Sequence, residues 1–286
     1  MPEGPEVATI ANDLHKFFCD EKSIVKKMNI ISGKYTKPEN SEDLETLSCN
    51  FPLRIMSVIC FGKFIKFEFK NKYNDRFFIG STLGMTGKWK VSETPLPFLK
   101  HDRIQFEISK NGRKVHLVYN DIRQFGNITV YFNYENINIK ISKLGLPWLI
   151  KDDVSYKIGI SYDSFYAVIK NCPRMNVCRF LMDQTKTAGV GNYLLSEIVF
   201  DCELNYKHCI NELSNFDIKN LYDSCCKLIK DSFEDRGVSI KDYESILGQK
   251  GKFQEKLKVY GKENSVIDTN VIKRIKGPHG RSLFII

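Results

Sequence analysis

The sequence has no apolar run long enough to cross a bilayer, and its first residues carry no basic stretch leading into an apolar core. A spanning helix needs about 20 such residues. The chain is therefore expected to be soluble, intracellular and without a membrane partner. No two of its nine cysteines (Cys19, Cys49, Cys60, Cys172, Cys178, Cys202, Cys209, Cys225 and Cys226) have the CxxC spacing of a structural zinc site, and none lies beyond Cys226. Their odd number, scatter and apolar neighbours suit reduced thiols rather than a disulfide framework, and no metal is predicted. Internal repeats and low-complexity tracts are also missing, and 42% hydrophobic with 27% charged residues excludes a disordered or fibrous chain. What the chain does have is positive charge, a formal +9, which suits a polyanionic partner such as nucleic acid or an acidic membrane surface.

A chain of 286 residues accommodates two domains with separate cores. Gly4, Pro5 and Glu6 read as a helix start, since the N–H that proline lacks is unneeded there and the acid meets the positive dipole end. Val7, Ile10, Leu14 and Phe17 follow as an apolar stripe. From Ser57 to Tyr131 the period becomes two: Ile65, Phe67 and Phe69 alternate with Lys66, Glu68 and Lys70, and Ile104, Phe106 and Ile108 with Gln105 and Glu107. Asn111-Gly112 predicts a tight hairpin, and Gly84 to Gly87 another loop. The pattern is that of an antiparallel sandwich or barrel over residues 1–132. An Asn- and Ile-rich stretch then predicts a linker over 133–152. Residues 153–286 form a mainly helical second domain, with helices over Ser161–Lys170, Val177–Asp183, Tyr193–Asp201 and Phe216–Phe233. In the tail, Val271-Ile272 and Leu283 to Ile286 flank the turn Gly277-Pro278-His279-Gly280 and predict a terminal hairpin.

The start of the chain carries chemistry. Removal of Met1 would leave Pro2 as a free secondary amine, and an α-amino group has a reference pKa of roughly 8, so part of it is unprotonated near neutrality. Such an amine can attack the anomeric carbon of a deoxyribose and give an iminium that permits strand-breaking eliminations. Glu3 can protonate the sugar ring oxygen if its environment raises its pKa. Glu6, one turn on, can orient the pair.

Met1-Pro2-Glu3-Gly4-Pro5-Glu6-Val7 resembles the N-terminus of the formamidopyrimidine-DNA glycosylase and endonuclease VIII family, and further segments resemble that family in its order. Phe61-Gly62-Lys63-Phe64 resembles the hairpin that presents a catalytic-site lysine. Leu83 to Gly87 and Asp121 to Gly126 resemble the two loops that probe the duplex. Leu181-Met182-Asp183-Gln184 through Ala188-Gly189-Val190-Gly191-Asn192-Tyr193 to Ser196-Glu197 resembles the helix-two-turn-helix motif. Phe253-Gln254 through Val259-Tyr260-Gly261 resembles the entry to the C-terminal finger.

The resemblance implies an α+β fold: an N-terminal helix plus antiparallel β-sandwich, then a helix-two-turn-helix domain with a finger from about residue 256. It implies Pro2 as nucleophile, Glu3 as general acid and Lys63 as a phosphate ligand, with Glu6 beside them. Asn192, with the helix N-terminal N–H groups behind it, would receive a phosphate. Base flipping leaves a hole in the stack and a widowed partner, for which Met85 and Phe125 are apolar fillers and Arg123 a planar donor. The chain departs from many family members in lacking the finger's four cysteines. Its tail resembles the zincless finger of the endonuclease VIII-like branch, which includes an animal and a giant-virus member, with Arg281 in the place of a phosphate-contacting arginine. Such a hairpin must be held by strand pairing and packing, here of Val271, Ile272, Leu283 and Phe284.

The expected function is a bifunctional, cofactor-free, monomeric DNA glycosylase and AP lyase. It would act on duplex DNA with oxidised bases or abasic sites, favour oxidised pyrimidines and ring-opened purines, and finish by β,δ-elimination. A non-catalytic damaged-DNA-binding protein of the same fold would bind with similar salt sensitivity but release no base. A proline-based tautomerase would ignore DNA.

Overall fold

The computed structural model describes residues 2–20, 22–93, 98–239, 246, 248–267 and 269–286; Met1, whose removal the chemistry above requires, lies outside them. Helix α1 (Gly4–Phe18) starts at the Gly-Pro-Glu signal. It is followed by β1 (Ser23–Ile30), α2 (Pro38–Ser48), β2 (Leu53–Phe61), β3 (Phe64–Lys70), β4 (Arg76–Thr82), β5 (Gly87–Ser92), β6 (Asp102–Lys110), β7 (Arg113–Asp121) and β8 (Asn127–Tyr131). The strands make one antiparallel sheet in the order β5-β7-β6-β1-β2-β3-β4-β8. Register shifts in β1, β2 and β6 supply the local bends that β-bulges give a sheet. The sheet consequently folds on itself: Phe67 of β3 lies 5.0 Å from Trp89 of β5, ring centre to ring centre, and Phe69 stacks on Phe106 of β6. Among the described residues no ladder joins β5 to β8, so the sandwich is not closed into a barrel. The β6–β7 turn is Asn111-Gly112, both with positive φ, as a two-residue hairpin requires.

The second half contains α4 (Tyr162–Lys170), α5 (Val177–Met182), α6 (Asn192–Asp201) and α7 (Asn215–Glu234), close to the predicted bounds. Helix α1 packs on β2 on one side and α7 on the other, which is why its first turns are buried all round and not on one stripe. Its inner end is Phe18, fully buried, while Phe17 is only half-buried.

Two expectations change. Inside the stretch read as linker, residues Tyr134–Ser142 form α3, capped by the Asn133 side chain on the Asn136 N–H and anchored by Ile137, which is fully buried beside Phe64 and Phe78. Asparagine disfavours helix interiors only weakly, and tertiary packing outweighs it. Beyond α3, Leu146–Pro147 pairs in parallel with Thr187–Ala188, tying the segment to the second domain. In the tail, the hairpin strands are Lys273–Lys276 and Ser282–Ile285, so Leu283 and Phe284 face Ile275 and Arg274. Val271 instead pairs with Val266 and is exposed, while Ile272 packs with Val259 and Phe284. The turn register of Gly277 to Arg281 selects the nearer, less apolar strand.

The finger is also fastened from below. Glu197, buried in α6, accepts the backbone N–H groups of Lys258, Val259 and Tyr260 at 2.7, 3.0 and 2.7 Å. This carboxylate, with the packing of Val259, Ile272 and Phe284, holds the segment in place. Glu197→Ala leaves three donors without their acceptor, and a loss of about 3 kcal/mol is expected in urea unfolding. A loss below about 1 kcal/mol would show that the carboxylate is dispensable.

Candidate active site

The site is assembled where the start of α1, the β2–β3 turn and the loop before α6 meet. Gly4 donates its N–H to the Gly189 carbonyl at 2.8 Å. Gly189 has φ +129°, which L side chains rarely adopt. A Cβ on Gly191 would sit 2.4 Å from Glu3 Oε1, so only glycine lets the loop approach this carboxyl. Gly62, with φ +59°, lets the β2–β3 turn seat equally close on Ala188.

Pro2 is buried next to Glu3, which is itself 2% exposed. The Glu3 carboxyl accepts the N–H groups of Tyr193 at 2.9 Å and Leu194 at 3.3 Å, at the N-terminus of α6. Burial pushes its pKa up to about 7, against the opposing pull of Lys63 and those two N–H groups, with Glu6 adding to the rise. Glu6 is also buried and raised by burial. One of its oxygens accepts the Glu3 N–H at 2.7 Å, and the other accepts the Tyr193 hydroxyl at 2.8 Å and the Val238 N–H at 2.7 Å. Lys63, on the turn after Gly62, is half-buried and donates to the Val190 carbonyl at 2.8 Å. Burial lowers its pKa, the Glu3 charge works against that, and the exposed Arg281 of the finger adds to the lowering. The structure thus brings Pro2, Glu3, Glu6 and Lys63 together, with Arg281 close enough for its charge to be felt. The arrangement can hold a proton at neutral pH beside Pro2 and gather cations around an anion.

The expectation for the α6 N-terminus needs correction. Its N–H groups at Tyr193 and Leu194 are engaged by Glu3 and are not open to a phosphate. Beside them lies the half-buried Asn192 side chain, whose Oδ1 is 3.1 Å from His279 Nε2.

Met85, Arg123 and Phe125 form a second group, all exposed. Buried Asp121 joins their loops, one oxygen accepting the Thr86 hydroxyl at 2.6 Å and the other the Gly126 N–H at 2.9 Å. Thr86 in turn accepts the Arg123 N–H, and the Arg123 guanidinium lies 3.6 Å from Met85 Sδ. Phe125 is 64% exposed and Met85 41%, so both side chains project from these loops.

Sequence reasoning quoted Tyr193, Gln184, Asp121 and Glu197 within motifs but gave them no task. Tyr193 bridges Glu6 and Ser232, and Gln184 donates to Val190 O and accepts from Gly189, fixing the loop that holds Lys63. For Glu197 a signal existed, a lone carboxylate among Leu194, Leu195, Ile198 and Val199, because a buried charge demands partners.

A folded antiparallel sandwich joined to a helical domain, with a buried acid where they meet, is the architecture that the resemblance to the DNA-repair glycosylases implied. The formamidopyrimidine-DNA glycosylase N-terminal domain matches residues 1–128 and the H2TH domain of the same family residues 157–244. Formamidopyrimidine-DNA glycosylase from Oceanobacillus iheyensis is 30% identical over 288 aligned positions, covering 99% of this chain and 96% of that protein. The same enzyme from Lactococcus lactis subsp. lactis is 29% identical over 96% of this chain and 94% of its own length. Two solved structures share the fold at 24% identity, each covering 99% of this chain and 97% of its own. One is Lactococcus lactis Fpg with abasic-site DNA (TM-score 0.81), the other the same enzyme with DNA containing an oxidised pyrimidine (TM-score 0.79). The chain belongs to the formamidopyrimidine-DNA glycosylase family.

Proposed function

We propose that the protein is a bifunctional glycosylase and AP lyase that excises oxidised bases from duplex DNA and cuts the strand, as a monomer without a cofactor. The observation that carries this reading is the Glu3 carboxyl, buried beside Pro2 and raised to about 7, with Lys63 within electrostatic reach. After loss of Met1 the Pro2 nitrogen adds to C1′, and the base leaves with the bonding pair of the glycosidic bond and takes up the proton that the proline nitrogen gives up. Glu3 gives its proton to the ring oxygen as the C1′–O4′ bond opens, leaving an iminium between C1′ and the proline nitrogen. The positive iminium acidifies the C2′ hydrogens, so removal of one expels the 3′ phosphate by β-elimination. A second elimination expels the 5′ phosphate, and water releases the amine. Lys63, Asn192 and Arg281 are proposed to hold backbone phosphates around this centre, while Met85, Phe125 and Arg123 fill the stack and engage the widowed base.

Oxidised pyrimidines and ring-opened purines are the proposed substrates. The zinc-free finger resembles that of the pyrimidine-preferring branch, and the Lactococcus lactis enzyme has been captured on both abasic and oxidised-pyrimidine DNA. The test is base release from duplexes carrying thymine glycol or oxidised guanine, with borohydride present. A covalent protein–DNA adduct and faster release of thymine glycol are expected. Salt-sensitive binding with no base release would instead indicate the non-catalytic damage binder.

The probe loops give a second test. Combined Met85→Ala and Phe125→Ala should slow base removal from duplex roughly tenfold, because about 1.4 kcal/mol of the unstacking cost is no longer offset. Cleavage at an abasic site in single-stranded DNA, where no stack needs filling, should be unchanged. Equal slowing on both substrates would remove the wedge role.

A further inference from the structure

The turn from Gly277 to Arg281 carries two side chains with different destinations. Arg281 is exposed, whereas His279 turns inward, half-buried, with its Nε2 3.1 Å from Asn192 Oδ1. An amide oxygen only accepts, so the ring nitrogen facing it is protonated and the bond runs from His279 to Asn192. His279 Nδ1 is buried without a partner among the described residues. A neutral ring with its hydrogen on Nε2 fits both ends.

The direction of this bond matters for the amide beyond it. An asparagine side chain can present either its oxygen or its NH2 group, and only NH2 suits a phosphate. With Oδ1 facing His279, the NH2 group is the end of the amide left for a phosphate. We propose that His279 is a positioning residue that sets the amide of Asn192 donor-outward, so that the finger turn prepares the phosphate contact of the helix-two-turn-helix motif. This rests on the reading of Asn192 as a phosphate ligand.

The finger does not need His279 in order to fold. Arg179 Nε donates to the Pro278 carbonyl at 2.7 Å, Glu197 holds residues 258–260, and Leu283 is fully buried in the main core. Removing the imidazole therefore frees the amide while Arg281 stays in place.

The test is the affinity of the full-length protein for a duplex containing a tetrahydrofuran abasic analogue, measured across a salt series. His279→Ala should weaken binding roughly three- to tenfold, as loss of one oriented hydrogen bond does, and should add nothing to Asn192→Ala. Because Asn192 is neutral, the slope of log affinity against log salt should stay unchanged, whereas Arg281→Ala should lower it by roughly 0.9. His279→Gln, whose terminal amide nitrogen reaches the Nε2 position, should restore most of the affinity. If His279→Ala lowers the salt slope as well, the imidazole serves finger structure and the proposal is wrong. If Asn192→Ala weakens binding and His279→Ala does not, the positioning role alone falls. If Asn192→Ala has no effect, the phosphate reading of Asn192 falls and the positioning role with it.

Discussion

Protein that retains Met1, or carries an added residue ahead of Pro2, should lose base excision by more than about a thousandfold, and borohydride should trap no adduct on damaged DNA. Acylation of the nitrogen removes both its nucleophilicity and its capacity to form an iminium. Binding to an abasic analogue should persist, since Lys63, Asn192 and Arg281 are untouched. Pro2→Gly separates the steps, because it keeps an α-amine with a pKa of roughly 8 but makes it primary. It should still be trapped on pre-formed abasic sites while base removal is impaired. Full activity of protein shown by mass spectrometry to carry Met1 would rule out Pro2 as nucleophile.

Glu3→Gln should cut base removal by roughly 10²- to 10⁴-fold, the range for a general acid, and should change its pH dependence. With the Glu3 carboxyl at about 7, the acid form is depleted as pH rises past that value. The rate should therefore fall on the alkaline side in wild type, and this limb should be absent from the residual activity of the variant. Stability should move the other way. The native carboxyl is raised from 4.5 to about 7, so the folded state binds more protons than the unfolded state between those values. Stability then decreases as pH rises through that window. Gln cannot ionise, so the variant should melt higher than wild type at pH 8 and lose this advantage towards pH 5. The upper bound is about 3 kcal/mol, reduced because Gln offers one acceptor oxygen where Tyr193 and Leu194 now have two. A variant of unchanged pH profile and lower melting temperature at pH 8 would show that Glu3 is ionised and structural.

The second experiment bears on a carboxylate placed in the positive end of α6. Those N–H groups orient Glu3 and lower its pKa, yet desolvation is the larger effect and the net shift is upward. Glu6 and Tyr193 fix the geometry without touching solvent.

Much of the fold was legible because it is written in local periodicity. The period-two run around Phe67 and the bounds of α4 through α7 need only near neighbours to specify them. The candidate site residues were nameable because a proline behind the initiator and a Gly-Val-Gly turn before a helix are short-range patterns with chemical meaning. Other features depended on partners distant in the chain. The asparagine-rich α3 exists because Ile137 finds Phe64 and Phe78. Leu283 pairs with Ile275 because the turn register prevailed over the more apolar Val271.

Outside α3 and the finger strands, the sequence by itself determined the main helices and the period-two strands, together with the net positive charge and the identity of the first residues, since these are set by side-chain chemistry and spacing along the chain. Tertiary structure alone decided that α6 receives Glu3 in place of an open anion, that Gly191 must lack a Cβ to permit it, and that His279 reaches Asn192. The shift of Glu3 to about 7 belongs with these. Burial and hydrogen bonding are properties of residues made neighbours by folding, and no local stretch of the chain contains them.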